Sequence, residues 1–357
     1  MQVGIAGAGA VAIGYAGYLL ERGHIPEIWS PSGRGTKAFE TCSVRLTGMV
    51  ECTFQPQICG TARELAKNDV IVIALPANGH RVVLDALAPH LEERHSIIIS
   101  GHLSFAGLYL SKILADRGLK IPICAWSTTA LTAKFQDSPT EVRVGIVRKN
   151  IDMAVLPSQF SEKATSICVD LFGPCFSLKE DLLTISLSNL NPQNHLAIAL
   201  CNLTRIEQGE RWHQNSNITP LVGNLLLELD NERISIGRAV GREIRTLAEN
   251  FKATLGISGG SVAEMYQIQA RRGNDPFGPT DSSTRYVLED VPYGLVPLVM
   301  LADLTSTEVP LHRSGIQILG ACYGRDFSRE NNLLAEIDIR DLNTLRQLAA
   351  DGYAVAN

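Results

Sequence analysis

Short apolar runs alternate with amphipathic stretches through the first half of the chain. Val3–Ala6, Glu27–Trp29, Val70–Leu75, Ile97–Ser100 and Ile121–Ala125 carry almost no charge, as strands buried on both faces do. Helical periodicity follows several of them, in Val11–Arg22, His80–Leu91 and Phe105–Arg117. This alternation predicts an α/β fold whose first part is a doubly wound parallel sheet with helices on both faces. Val142–Val147 and Met153–Leu156 read as extensions of that sheet, and Ser158–Phe172 as a further helix.

Past about residue 185 the texture becomes helical. The longest candidate helix runs from Thr219 to Phe251, with a stripe of Leu221, Val222, Leu225, Leu226 and Leu229 continued by Ile236, Val240, Ile244, Leu247 and Phe251. Asp230, Glu232, Arg233, Arg238, Arg242 and Arg245 interleave it and read mostly as its solvated face. Pro276, Pro279, Asp281, Ser282 and Ser283 mark a loop, and helix resumes from Pro292. Two domains are expected: 1–184 around the sheet, and an all-helical 185–357.

Residues 1–20 are apolar enough to imitate a signal peptide, but no basic segment precedes them and a glycine turn interrupts them. No stretch reaches the roughly 18 uninterrupted apolar residues of a membrane helix. A net charge of -5 argues against nucleic acid or an anionic membrane as partner. The eight cysteines form no C-x-x-C pair, and several sit in apolar runs. They read as free thiols of a cytoplasmic protein, with neither disulfides nor structural zinc. The histidines show no i,i+4 pairing, so no metal site is expected.

Gly7-Ala8-Gly9-Ala10-Val11-Ala12 follows the first strand and opens a helix, as in a Rossmann-type nucleotide fingerprint. Gly7 permits the tight turn, Gly9 lets the backbone approach a pyrophosphate, and Ala12 keeps helix and strand close. Ala10 and Val11 begin the helix whose amides and dipole face the phosphates. An NAD site places an acid about 20 residues past the glycines. Here the second strand ends Ile28-Trp29-Ser30-Pro31-Ser32-Gly33-Arg34-Gly35-Thr36-Lys37 instead. Ser30, Ser32, Arg34 and Lys37 suit a 2′-phosphate, which favours NADP over NAD; a plain basic surface loop has the same composition. Pro76-Ala77-Asn78, Ser100-Gly101-His102 and Ser127-Thr128-Thr129 fall at the carboxyl ends of strands, where ligands of open sheets bind. Pro76 and Ala77 are candidate cofactor contacts. Thr128, Thr129 and His102 are candidate substrate contacts, although one histidine on a loop is more often a surface residue.

Asn191-Pro192-Gln193-Asn194-His195 opens the helical half. Histidine as a residue type suits proton transfer beside a hydride step, which makes His195 the candidate, and Asn191 is a further candidate substrate contact. A carboxylate on one ring nitrogen would fix the tautomer, and Asp290 is the candidate. Arg285, five residues earlier, could hold a pyrophosphate or a substrate carboxylate. Spacing alone does not join Asp290 to His195, and a salt-bridged helix terminus would explain Arg285 and Asp290 equally.

The chain resembles the opine dehydrogenase family, which includes octopine and nopaline dehydrogenases, over nearly its whole length. The resemblance rests on the N-terminal fingerprint, Ser188–His195, Asp230-Asn231-Glu232-Arg233 and, most specifically, Thr284–Pro297. It implies NAD(P)H-dependent reductive amination of a 2-keto acid such as pyruvate by an amino acid, in a cleft between a dinucleotide domain and a helical one. It also implies that His195 is the acid–base residue, Asp290 its partner, and Arg285 a contact to cofactor that helps the domains close. Leu196 departs from the family, which often has proline there. Glu207–Asn217, with Trp212 and His213, lies where the family shapes its amine pocket. Two other readings use the same residues: an NADP-dependent 2-keto acid reductase, and a non-catalytic NADP-sensing protein. Apolar residues of the helical half serve either as core or as a homodimer interface.

Overall fold

Five apolar strands lie parallel in the order Ile123–Trp126, Ser96–Ile99, Val70–Ile73, Gln2–Ala6, Ile25–Trp29. The computed structural model describes residues 1–355 of the chain. From Gln2–Ala6 the chain steps to Ile25–Trp29 on one side and returns to Val70–Ile73 on the other. The carboxyl ends of Gln2–Ala6 and Val70–Ile73 therefore flank the switch point at which such sheets bind ligands.

Gln57–Ile58 adds a parallel edge beyond Ile25–Trp29. At the other edge Ile151–Leu156 runs antiparallel to Ile123–Trp126, and Phe176–Leu178 pairs parallel with it. Met153–Leu156 thus extends the sheet as expected, but with reversed direction.

Val142–Val147 does not extend it. Glu141–Val147 belongs to a second sheet ordered Cys52–Phe54, Val44–Gly48, Glu141–Val147, Leu131–Phe135. This small sheet covers the outer face of the Ala10–Glu21 helix. A Cβ on Gly14 would lie 2.9 Å from Leu131 Cδ1, and one on Gly17 would lie 2.2 Å from Leu46 Cδ1. The helix is therefore covered on two sides, with Ala12, Ile13, Tyr15, Ala16 and Leu19 buried. A helix apolar nearly all round is a buried one, which explains why the first 20 residues imitate a signal peptide. Among the described residues no helix is long and apolar enough to cross a membrane.

The second unit runs from Leu187 to Ala335, with Ile339–Leu342. Residues 343–355 group with the first unit, as does Glu336–Asp338, whereas the sequence division gave the whole C-terminal stretch to the helical half. The single helix expected over Thr219–Phe251 is two, Pro220–Ala239 and Leu247–Leu255. Gly241 takes a left-handed φ of 74°, which ends the first helix. Thr246 and Glu249 then start the next with a reciprocal capping box.

Nor is the charged run within this segment all solvated. Asp230, Glu232 and Arg233 are buried. Asp230 Oδ1 accepts from Arg233 Nε at 3.1 Å and from Gln193 Nε2 at 3.0 Å, and its Oδ2 accepts from the Leu247 amide at 2.7 Å. Arg233 also donates to the Leu187 and Arg245 carbonyls. These bonds satisfy the buried pair, without which its desolvation would cost several kcal/mol. They also tie the Pro220–Ala239 helix to the first turn of Asn191–Glu207.

Candidate active site

Residues 7–9 form a tight turn between the first strand and the helix that follows it. Gly7 has φ 135°, and a Cβ there would lie 2.2 Å from the Ala74 carbonyl oxygen of the neighbouring strand. Ala12 is fully buried. Gly9 caps the Ala10–Glu21 helix without a side-chain hydrogen bond, and a Cβ on it would meet no protein atom within 4 Å. The amides of Ala10 and Val11 thus open the helix beside a bare backbone face of the kind a pyrophosphate requires. Gly9→Val should raise the Kd for NADPH about 10- to 100-fold, the scale of lost hydrogen bonds to a charged group. Thermal unfolding should change little beyond the roughly 1 kcal/mol cost of losing an N-cap glycine, because a Cβ there meets no protein atom within 4 Å; fluorescence titration of NADPH beside a melting curve checks both.

The Ser30–Lys37 loop packs on this turn, since a Cβ on Gly35 would lie 2.9 Å from Ala8 Cβ. Ser32 Oγ accepts from the Arg34 amide at 3.3 Å, and Arg34 and Lys37 are exposed. Glu27, the acid of the second strand, accepts from Asn68 Nδ2 at 2.7 Å and from the Cys59 thiol, so it is committed away from the strand's end. Pro76 is exposed and Ala77 buried just past Val70–Ile73. Thr128 and Thr129 are partly exposed beyond Ile123–Trp126, and Thr129 Oγ1 donates to the Leu131 carbonyl at 2.7 Å.

His102 departs from both sequence readings. It is neither on the surface nor exposed to a substrate, because its side chain is fully buried and Nε2 accepts from the Gly107 amide at 3.2 Å. Burial, and to a smaller extent neighbouring His80, push its pKa down to about 3. The ring is neutral at ordinary pH and braces the start of the Ala106–Ala115 helix.

In the second unit the chain brings His195 and Asp290 together. His195 lies in the second turn of Asn191–Glu207, where Pro192 is tolerated because first-turn amides need no helical partner. Asp290 stands between the short helix Arg285–Leu288 and a single π-helical turn, Val291–Leu295. Their side chains meet with Nδ1 to Oδ2 at 2.6 Å. Asp290 is fully buried, and the His195 side chain keeps 11% exposure. Asp290 Oδ2 accepts the Nδ1 proton, which leaves Nε2 as the nitrogen that exchanges protons.

Arg285 Nε lies 3.4 Å from Glu289 Oε2, and its side chain is more than half exposed. Partial burial opposes its charge, yet Glu289 and Asp290 outweigh this and hold the guanidinium above its usual pKa. Asn191 is partly exposed, and its amide donates to Asn189 Oδ1 at 3.1 Å.

Tyr286 was not among the residues singled out. Its ring stacks on His195 with centroids 3.6 Å apart and planes 9° from parallel. Its hydroxyl donates to Gln214 Oε1 at 2.5 Å, so the imidazole is held by Asp290 at its edge and by Tyr286 on its face. The signal was present: Tyr286 precedes Asp290 by four residues, one helical turn. Gln214 belongs to the Glu207–Asn217 segment, which docks through Trp212 Nε1 to the Pro279 carbonyl at 3.0 Å and through His213 stacked on Phe277. Leu196 fits a notch left by Gly315, where a Cβ would lie 2.7 Å from its methyls. A second imidazole–carboxylate pair, His312 Nδ1 to Glu232 Oε2 at 2.6 Å, is wholly internal. There Glu232 also caps the Pro310–Tyr323 helix through the Leu311 and His312 amides. A surface pocket of about 590 Å³, lined by Val299, Arg313, Ile316 and Arg325 among others, contains none of the predicted site residues. Its two arginines are paired with Asp303 and Glu330.

Residues 178–323 match the family described as NAD/NADP octopine/nopaline dehydrogenase, alpha-helical domain, and residues 3–101 match ketopantoate reductase PanE/ApbA. An opine dehydrogenase of Arthrobacter sp. (strain 1C) is 28% identical over 279 residues, covering 77% of this chain and 76% of that protein. The solved structure of octopine dehydrogenase with NADH and L-arginine superposes with a TM-score of 0.77 at 16% identity, covering 97% of each chain. Yersinopine dehydrogenase with NADP+ bound gives 0.68 at 15% identity, covering 94% of this chain and 97% of that one. At these identities the two structures establish likeness of fold.

Proposed function

We propose that this chain, a relative of the opine dehydrogenases with their type of helical domain, is an NAD(P)-dependent oxidoreductase acting on CH–NH groups. It joins a 2-keto acid to an amino acid as a secondary amine dicarboxylate. The observation that carries the reading is the buried His195–Asp290 pair, formed by residues 95 apart in sequence. NAD(P)H, when bound, supplies the hydride. The remaining chemistry is proton traffic: the amine must lose a proton to attack the keto carbon, and the carbinolamine hydroxyl must gain one to leave as water. The balance is uptake of one proton per turnover. His195 Nε2 can serve both transfers in turn, while Asp290 holds the ring in the Nδ1–H tautomer and stabilises its cationic form. Arg285 offers an exposed cation to a carboxylate or phosphate.

Preference for NADP is part of the same reading. It is supported by the composition of the Ser30–Lys37 loop, which meets the glycine turn where Gly35 approaches Ala8, and by the engagement of Glu27 elsewhere. Arg34→Ala should raise KM for NADPH about 10- to 100-fold and leave KM for NADH nearly unchanged; equal effects on both would end the preference. The function itself is tested by crossing keto acids with amino acids in an NADH and NADPH oxidation assay. Oxidation that requires both partners is expected. Oxidation by keto acid alone would make the protein a simple reductase, and tight cofactor binding without turnover would make it a sensor.

A further inference from the structure

We propose that Arg148 is an oxyanion-binding residue of the dinucleotide-binding unit, receiving a carboxylate or phosphate over the carboxyl end of the Ile123–Trp126 strand. This deepens the reductive-amination reading, which supplies ligands bearing both groups.

Arg148 directly follows the Glu141–Val147 strand and is partly buried. Its amide donates to the Ala130 carbonyl and its Nε to the Thr129 carbonyl, each at 2.9 Å. No carboxylate pairs with it among the described residues, whereas Arg94, Arg205, Arg233, Arg313 and Arg325 each have one. Burial lowers its pKa, offset only by the Tyr15 hydroxyl. A guanidinium has five donors in a planar fork. One is spent on Thr129, and among the described residues the terminal nitrogens make no hydrogen bond. Partial withdrawal of a cation from water costs free energy that an anion held by paired donors would return.

The surroundings place this fork at the ligand end of the sheet. Thr129 Cγ2 lies 3.8 Å from the position a Cβ on Gly101 would take, just past the Ser96–Ile99 strand. The Ala130 amide donates to the Tyr15 hydroxyl at 2.7 Å, and that hydroxyl lies 2.6 Å from Ser100 Oγ. Tyr15 comes from the helix that opens at Gly9. Arg148 is thus braced against the carboxyl ends of two parallel strands and the phosphate-turn helix, where ligands of such sheets bind.

The test compares full-length wild type with Arg148→Gln and Arg148→Lys; glutamine keeps a donor for the Thr129 carbonyl. The measurements are Kd for NADPH by fluorescence, KM for pyruvate and for the amine substrate, and unfolding temperature with and without inorganic phosphate or pyruvate. Arg148→Gln should raise one of these constants about 10- to 100-fold, with the unfolding temperature of the free protein unchanged and partial recovery in Arg148→Lys. A change in the NADPH Kd assigns the oxyanion to the cofactor's phosphates; a change in a substrate KM assigns it to that carboxylate. Constants equal to wild type, or changes matched by loss of stability, would overturn the proposal and leave Arg148 a brace. Should wild type turn over no keto acid–amine pair, the amination reading fails alone. Arg148 is then judged by ligand-induced stabilisation: loss of it in Arg148→Gln supports the site, and its retention overturns it.

Discussion

His195→Ala is expected to lower kcat by about 10²–10⁴-fold, the range for removing a general acid–base group. The fall should appear in kcat rather than in the Kd for NADPH, because the cofactor fingerprint lies in the first unit, around Gly7 and Gly9. The imidazole is fixed by three features: its place in the second turn of Asn191–Glu207, the 2.6 Å bond to Asp290, and the stacked ring of Tyr286. Steady-state rates with saturating keto acid and amine measure the effect. A variant as fast as wild type would remove the histidine from the mechanism.

Asp290→Asn is expected to be nearly as severe, again about 10²–10⁴-fold in kcat. Asparagine preserves shape but removes the charge that stabilises the imidazolium, and its amide can donate to Nδ1 and impose the wrong tautomer. Asp290 is fully buried and bonded to His195, so the proposed mechanism makes it a positioning residue that acts through the imidazole. KM for keto acid and amine should therefore stay near wild type while kcat falls, and the pH–rate profile should shift with it. A purely structural role would instead lower stability and leave the pH profile of the surviving enzyme unmoved.

The parallel core was legible because its strands are short, apolar and bounded by helical periodicity. The second sheet was not. Val142–Val147 carries a strand pattern, but alternation does not say which sheet a strand joins; the partner here is Val44–Gly48. The Thr219–Phe251 stripe continues across a break that Gly241 and the Thr246–Glu249 capping box announce, because apolar spacing survives a short turn. Asp230, Glu232 and Arg233 looked solvated because their partners, Gln193, the Leu247 amide and His312, are distant in sequence. The turn between the first strand and its helix was readable from its glycines alone. The pairing of His195 with Asp290 was implied by family resemblance and not by spacing, and Tyr286 was overlooked although it lies one helical turn before Asp290.

The most direct measurement follows deuterium from C4-deuterated NADPH into product by mass spectrometry, with pyruvate and an amino acid present together. The expected product has the summed mass of both substrates less one water, reduced, with one deuterium on the carbon that was the keto carbon. Deuterium found only in lactate would contradict carbon–nitrogen bond formation at this site.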